Sequence, residues 1–349
     1  MQSFKTLNQA SQIAKKKIKY AAYKWLDGAA EYGFTYKRNR QIFRDIGLIP
    51  RVLVQNNKLE LNKNFFNQKC SVPIIIPPMG GIDQFNKNIE YKILEAAEKN
   101  KIPYFFPNNS GHTIKQLVKK KNFNFLNRAL YLDDNINYIK EQIEEAEKNN
   151  CKTICITVDA PIRSISYDKM EYNYDARKYY YKQPLNYSSN KIAKKPISWK
   201  TISIIKKFLK KPLILKGILS KKDALTAYNL GADAIWISNH GGRILETDVT
   251  SIEVLTEIRA SLPKKILIIC DGGIRTGTDI LKTISLGADF VAIGRPFIHG
   301  IISDSINGIE NVIAILKNEI STSMILAGTK NFKEVNKLKK IIRFKYENR

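Results

Sequence analysis

Residues 266–296 read ILIICDGGIRTGTDILKTISLGADFVAIGRP, and their reading decides the fold. A continuous apolar run closes on Asp271-Gly272-Gly273. Thr276-Gly277-Thr278-Asp279 then offers side-chain acceptors for the free N–H groups of a helix start, and Gly287 stands where that helix stops. A second apolar run closes on Gly294-Arg295-Pro296. Neither run alternates polar with apolar residues, so both are strands buried on two faces, as in a parallel sheet crossed by a helix.

The same unit repeats toward the N-terminus. Runs rich in Ile, Val and Phe occur at Pro73–Met79, Pro103–Asn108, Phe125–Tyr131, Thr153–Ala160, Pro212–Ile218 and Ala234–His240, ahead of Ile266–Gly273 and Phe290–Pro296. Between them lie helical stretches at Ile89–Lys99, Ile136–Asn149, Lys221–Leu230, Ile252–Ala260 and Thr278–Leu286, with Gly231 after the third. Eight strands alternating with helices predict an α/β TIM (β/α)8 barrel. A doubly wound open sheet carries its Gly-rich turn after the first strand, whereas here glycines gather after the last three. The expected organisation is an N-terminal helical extension over 1–70, clearest at Gln9–Leu26, then a barrel over 71–329 and a basic C-terminal helix over 330–349. The irregular segment Met170–Ile197 reads as a mobile cover at the barrel mouth.

The 349 residues carry 58 Lys and Arg against 32 Asp and Glu, a formal charge of +26. The lysines are spread in short clusters such as Lys15-Lys16-Lys17 and Lys119-Lys120-Lys121, which reads as a solvated basic face; no nucleic-acid partner is expected. No membrane span, signal segment or fused haem domain is expected, and four cysteines without a Cys-x-x-Cys pair argue against zinc and disulfides. A cytoplasmic protein is the expectation.

Barrel enzymes carry their chemistry at the C-terminal strand ends. Those ends here hold Asp159, Lys216, His240 with Arg243, Asp271 with Arg275, and Arg295. His240 is suited to general-base work, with Asp159 to orient it, Arg243 to hold a carboxylate and Lys216 to stabilise developing negative charge. Asp271–Arg275 and Gly294–Pro296, on adjacent last strands, read as a phosphate site. No metal site is expected, and His112 and His299 read as structural or surface groups.

At these residues, above all Ser238-Asn239-His240-Gly241-Gly242-Arg243, the sequence resembles the FMN-dependent 2-hydroxy acid oxidase and dehydrogenase family. The resemblance extends through Gly28-Ala29, Thr35, Asn39-Arg40, Pro50-Arg51, Thr157-Val158-Asp159, Leu215-Lys216-Gly217, Asp271–Arg275, Gly287-Ala288-Asp289 and Gly294-Arg295-Pro296. It implies FMN as cofactor, a small 2-hydroxy acid of the lactate or glycolate type as substrate, O2 as acceptor with H2O2 as product, and a homotetramer. It also implies His240 as the base, Asp159 as its partner, Arg243 on the substrate carboxylate and Lys216 beside the flavin. Pro78, Met79, Gly80, Asn108, Asn127, Thr157 and Ser238 would contact the flavin; Asp271, Gly273, Arg275, Gly294 and Arg295 would form the ribityl-phosphate site.

The sequence departs from the pattern in three places. Asn127 and Ala129 replace a glutamine and a tyrosine, an N-terminal substrate tyrosine falls on Trp25 or Lys24, and a second substrate arginine is Ser166, with Arg163 or Lys169 as its only nearby substitutes. They motivate an alternative, an FMN-binding relative with altered or lost substrate chemistry. A polyanion-binding protein that only retains the barrel is a third expectation.

Overall fold

The computed structural model describes residues 3–55, 58–119, 122–133, 135–162, 164–176 and 198–344. The chain opens with α1 (Leu7–Lys17), α2 (Tyr20–Asp27), α3 (Phe34–Gln41), β1 (Ile46–Leu48) and the hairpin β2 (Lys63–Phe65)–β3 (Gln68–Cys70). The barrel strands are β4 (Ile74–Ile75), β5 (Tyr104–Phe106), β6 (Leu126–Tyr131), β7 (Ile154–Thr157), β8 (Leu213–Ile218), β9 (Ala234–Ile237), β10 (Leu267–Asp271) and β11 (Phe290–Ala292). Between them lie α4 (Ile89–Asn100), α5 (Ile114–Val118), α6 (Ile136–Lys148), α7 (Tyr167–Glu171), α8 (Trp199–Phe208), α9 (Lys221–Asn229), α10 (Ser251–Ser261) and α11 (Gly277–Ser285). α12 (Arg295–Leu326), α13 (Phe332–Lys337) and β12 (Lys340–Ile342) complete it.

The eight barrel strands pair in parallel, in the order β4-β11-β10-β9-β8-β7-β6-β5. Ile76 closes the ring: its N–H donates to Pro103 O at 2.9 Å and its carbonyl accepts from Phe105 N at 3.0 Å. All eight strands expected from the sequence are present. Inward side chains, among them Ile75, Phe105, Ala129, Cys155, Ile214, Trp236, Ile269 and Phe290, fill the interior. Alternate residues such as Leu213, Leu215 and Ile268 pack outward under the helices, which is why the strands read as unbroken apolar runs. Helix starts follow the expected chemistry: Thr276 and Asp279 form a reciprocal cap on α11, and Ser220 accepts from Asp223 N on α9.

Three expectations change. The helix expected over Gln9–Leu26 is two, because Ile18 is extended (φ −119°) and turns the chain so that Leu7, Ala10 and Ala14 bury on one helix and Ala22 and Leu26 on the next. The first 70 residues are not all helical. The β2–β3 hairpin plugs the barrel floor, with the Phe65 ring 5.1 Å from Phe290 and 6.1 Å from Phe105. The tail is not one surface helix: after the six-residue α13, β12 pairs antiparallel with β1 and ties the chain's two ends together. Of the expected cover at 170–197, residues 177–197 lie outside the described residues, and Met170 and Glu171 end α7.

Candidate active site

β9 ends at Ile237, so Ser238–Arg243 emerges at the C-terminal mouth. His240, Gly241 and Gly242 follow one another at φ 56°, 65° and 74°. Three successive left-handed residues make a tight turn that only glycine adopts freely. Gly242 is further constrained from outside, since a Cβ there would lie 2.7 Å from the Tyr36 nitrogen. His240 takes up a strained backbone conformation, a cost that structures sustain where a side chain must be aimed.

The imidazole is aimed at Asp159, at the end of β7: Nδ1 lies 3.1 and 3.2 Å from its two carboxylate oxygens. Burial alone would raise the Asp159 pKa, but His240 and then Lys216 pull it below the usual carboxylate range. Asp159 is therefore ionised and only accepts, which places the Nδ1 proton on the imidazole and leaves Nε2 to face the cleft. The pairing depends on Gly217 (φ 108°), at a register shift in β8, where a Cβ would fall 2.4 Å from Asp159 Cβ and Cγ.

Ser238 joins the other groups. Its hydroxyl accepts from Lys216 Nζ at 3.1 Å and from the His240 N–H at 3.0 Å, and donates to Asp271 at 2.8 Å. Asp271 also accepts from Trp236 Nε1 at 2.9 Å. Lys216 is buried and makes no ion pair within 4.0 Å among the described residues; it donates to the Ser238 hydroxyl and its charge favours the ionised forms of Asp159 and Asp271. The structure thus brings together five predicted residues: Asp159, Lys216, Ser238, His240 and Asp271. Pro78, Gly80, Asn108, Thr157 and His240 line one narrow cleft. Met79 lies against Gly294.

The arginines are placed differently from one another. Arg275 is half-buried, gives Nη1 to Ile274 O, and makes no ion pair among the described residues. Burial and then the nearby Arg295 depress its pKa to about 10. Arg295 lies over the Tyr36 ring, 4.4 Å from its centroid, and reaches Gly28 O at 2.9 Å and Asp27 at 3.7 Å. Arg243 is directed at the C-terminal end of α2, where it donates to Trp25, Leu26 and Gly28 carbonyls at 2.8–2.9 Å. It does not line the cleft, because that helix end presents unsatisfied carbonyls on its own level.

Other predicted positions fall outside the cleft. The Asn127 amide donates to Tyr104 O and Phe125 O and accepts from Thr153 Oγ1, saturated inside the barrel below the mouth; its side chain is one methylene shorter than glutamine. Trp25 packs on Phe85, Tyr174 and the Arg243 guanidinium, and Lys24 pairs with Asp168 at 2.6 Å. Ser166 is buried at the start of α7, and Arg163 lies outside the described residues. The N-terminal extension locks the site from outside: Asn39 and Asn239 exchange amide hydrogen bonds at 2.8 and 3.1 Å, Arg40 donates to Gly273 O, and a Cβ on Gly273 would collide with Asn39 O.

Two groups were missed from sequence. Tyr131 ends β6 with its hydroxyl 3.4 Å from His240 Nε2. His112 is neither isolated nor superficial: Nδ1 lies 3.2 Å from both Asp83 and the fully buried Glu90, joining the loops after β4 and β5. Asp83 and then Glu90 raise the His112 pKa to about 10. Because the folded value lies above the ordinary 6.5 of histidine, the stabilisation is fully present below pH 6.5 and is lost as pH rises through about 10. His112→Gln is therefore expected to lower Tm by about 2–4 °C at pH 6. Thermal melts across pH should show that gap narrowing toward about pH 10, whereas a pH-independent gap would assign the loss to packing instead.

The relatives of this chain fit that geometry. A family model described as FMN-dependent dehydrogenase matches residues 14–341. The chain belongs to the FMN-dependent dehydrogenase family. It is 30% identical over 332 residues to 2-hydroxyacid oxidase 2 of Rattus norvegicus, covering 93% of this chain and 94% of that protein. It is 28% identical over 368 residues to an L-lactate dehydrogenase of Acinetobacter baylyi, covering 94% and 95%. A crystal structure of mandelate oxidase superposes with a TM-score of 0.89 at 25% identity, covering 97% of this chain and 99% of that one.

FMN is accordingly the cofactor, and the residues present fit it. Two like-charged, half-buried arginines side by side, one of them without an ion pair among the described residues, form a site short of an anion, as a phosphate requires. Lys216 adds a buried cation in the mouth. Arg275, Arg295, Gly273 and Gly294 would hold the phosphate; Lys216, Ser238, Thr157 and the Pro78–Gly80 segment would hold the ring.

Proposed function

We propose that this family member oxidises a small L-2-hydroxy acid of the lactate or glycolate type to the 2-oxo acid, with O2 taking the electrons to give H2O2. The observation that carries it is the Asp159–His240 pair, its remaining ring nitrogen facing a cleft beside Lys216 and Ser238. Bound FMN supplies the two-electron acceptor. His240 Nε2 takes a proton from the substrate, and Asp159 stabilises the imidazolium so formed. Lys216 sets positive charge beside the cofactor. We assign the substrate carboxylate to Arg243, which would exchange a neutral carbonyl of α2 for a charged partner, the stronger hydrogen bond.

Oxygen uptake with a panel of 2-hydroxy acids, together with assay of the 2-oxo acid and H2O2, tests this. Equal amounts of both products support it; product formed only with an artificial acceptor would overturn the choice of oxygen. A family member with altered chemistry is the second reading, favoured by Ala129 and by the engagement of Arg243 with α2. It predicts bound FMN and no product from any member of the panel.

Gly217→Ala should lower kcat/KM by about 10²-fold by moving Asp159 off Nδ1, while FMN content stays constant. Steady-state kinetics beside flavin absorbance checks this. We further infer a homotetramer, supported by exposed aromatic surface at Tyr32 and Phe34, and a cytoplasmic location, supported by four buried, unbridged cysteines. Sedimentation and fractionation test these.

A further inference from the structure

We propose that FMN binding in this chain is coupled to proton uptake: as the phosphate binds at Arg275 and Arg295, His299 takes one proton from solvent. This rests on those two arginines holding the phosphate. An anion site gains nothing from a carboxylate. Yet Asp27, at the end of α2, lies 3.7 Å from Arg295 Nε and accepts from the Tyr23 and Tyr36 hydroxyls at 3.1 and 3.4 Å. Burial alone would raise the Asp27 pKa, but Arg295, then His299 and Arg275, hold it below the usual carboxylate range. Asp27 is therefore an ionised group that competes with a phosphate for Arg295.

His299 follows Arg295 by four residues on α12, so the two share a face of the helix. Helical side chains lean toward the N-terminus, which directs the imidazole back toward Arg295 and the start of α12. The residue is 4% exposed, and its Nε2 is buried with no hydrogen-bond partner among the described residues. A buried polar atom in that state calls for a charge or a partner that the chain alone does not supply. Three charged groups act on the ring: Asp27 from α2, Arg275 from the loop after β10, and Arg295 from its own helix. Without the cofactor they sum to one positive charge. Burial and the two arginines then hold the His299 pKa at about 4, against the pull of Asp27, and the ring is neutral. With a phosphate dianion the sum becomes one negative charge. One proton on the imidazole restores neutrality, the state a buried cluster favours. The proton comes from solvent, and no other bond forms or breaks.

Calorimetric titration of the apoprotein with FMN at about pH 6, in buffers of low and high ionisation enthalpy, counts the protons taken up. Wild type should take up a large fraction of a proton more than His299→Phe, which keeps an aromatic ring in the same space. The phosphate's own ionisation is common to both and cancels in the difference. Uptake means that binding strengthens as pH falls. The wild-type affinity should therefore gain on the variant by up to about tenfold per pH unit below neutrality, and stop gaining near pH 4, where His299 is protonated without FMN. Asp27→Asn is the second arm. With the carboxylate gone the arginines alone balance the phosphate, so uptake should fall and FMN should bind roughly tenfold tighter at about pH 8. Equal proton counts in wild type and His299→Phe would overturn the proposal. So would undiminished uptake in Asp27→Asn, which decides the matter if His299→Phe does not fold. Unchanged FMN affinity in Arg275→Met would instead remove the phosphate site on which the proposal rests.

Discussion

His240→Asn should lower kcat/KM for 2-hydroxy acid oxidation by about 10²–10⁴-fold while leaving bound FMN in place. Asparagine is chosen because it tolerates the left-handed backbone that His240 occupies at φ 56°, so the turn carrying Gly241, Gly242 and Arg243 survives the change. The amide removes the only ring nitrogen that faces the cleft, and no other imidazole replaces it. His299 is buried on α12 with its pKa driven down to about 4, and His112 is tied to Asp83 and Glu90. Asp159, left without its imidazole partner, lies behind the asparagine rather than in the cleft. Stopped-flow flavin absorbance separates the proton-transfer defect from substrate binding. A loss confined to KM would mean that His240 binds substrate and does not take its proton.

Arg275→Met should weaken FMN binding by roughly 10²-fold or more and at the same time leave the apoprotein as stable as wild type or more so. The two halves have one cause. Arg275 is half-buried next to Arg295 and has no ion pair among the described residues; burial and then Arg295 lower its pKa, so its charge carries a cost that the fold alone does not return. Methionine fills a similar volume without that cost. A phosphate dianion recovers the interaction through charge-assisted hydrogen bonds, and the variant forgoes them. Fluorescence titration of apoprotein with FMN, beside melting curves of both apoproteins, checks the pair. Lower apoprotein stability with unchanged FMN affinity would make Arg275 a structural residue.

What could be read from the sequence follows the range of the interactions. The barrel was legible because each strand announces itself locally, as a short unbroken apolar run closed by a Gly or Pro turn; residues 266–296 contain the whole unit. The Asp159–His240 pair was legible because both residues end barrel strands, and strand ends share one face. The arginine partners were not. Arg243 meets the carbonyl of Gly28, 215 residues away, and nothing in either segment records that α2 ends beside the mouth. The strand at Lys340–Ile342 was hidden for the same reason, since its partner is Ile46–Leu48. His112 read only as a structural or surface group, because its partner Glu90 lies 22 residues earlier on a helix the pattern assigned to packing. Ala129 drew attention to a missing phenol, while Tyr131, two residues on and facing the same way, already supplied one. Asn127 shows the reverse: a position matched to a flavin-binding residue spends its amide on the barrel interior.

Anaerobic titration of the purified FMN-loaded protein with L-lactate, glycolate and larger 2-hydroxy acids tests the central claim most directly. The account predicts that at least one of them bleaches the flavin to completion, that one 2-oxo acid forms per flavin reduced, and that His240→Asn slows the bleaching. A flavin that stays oxidised with every acid in the panel, yet is reduced by dithionite, would contradict it.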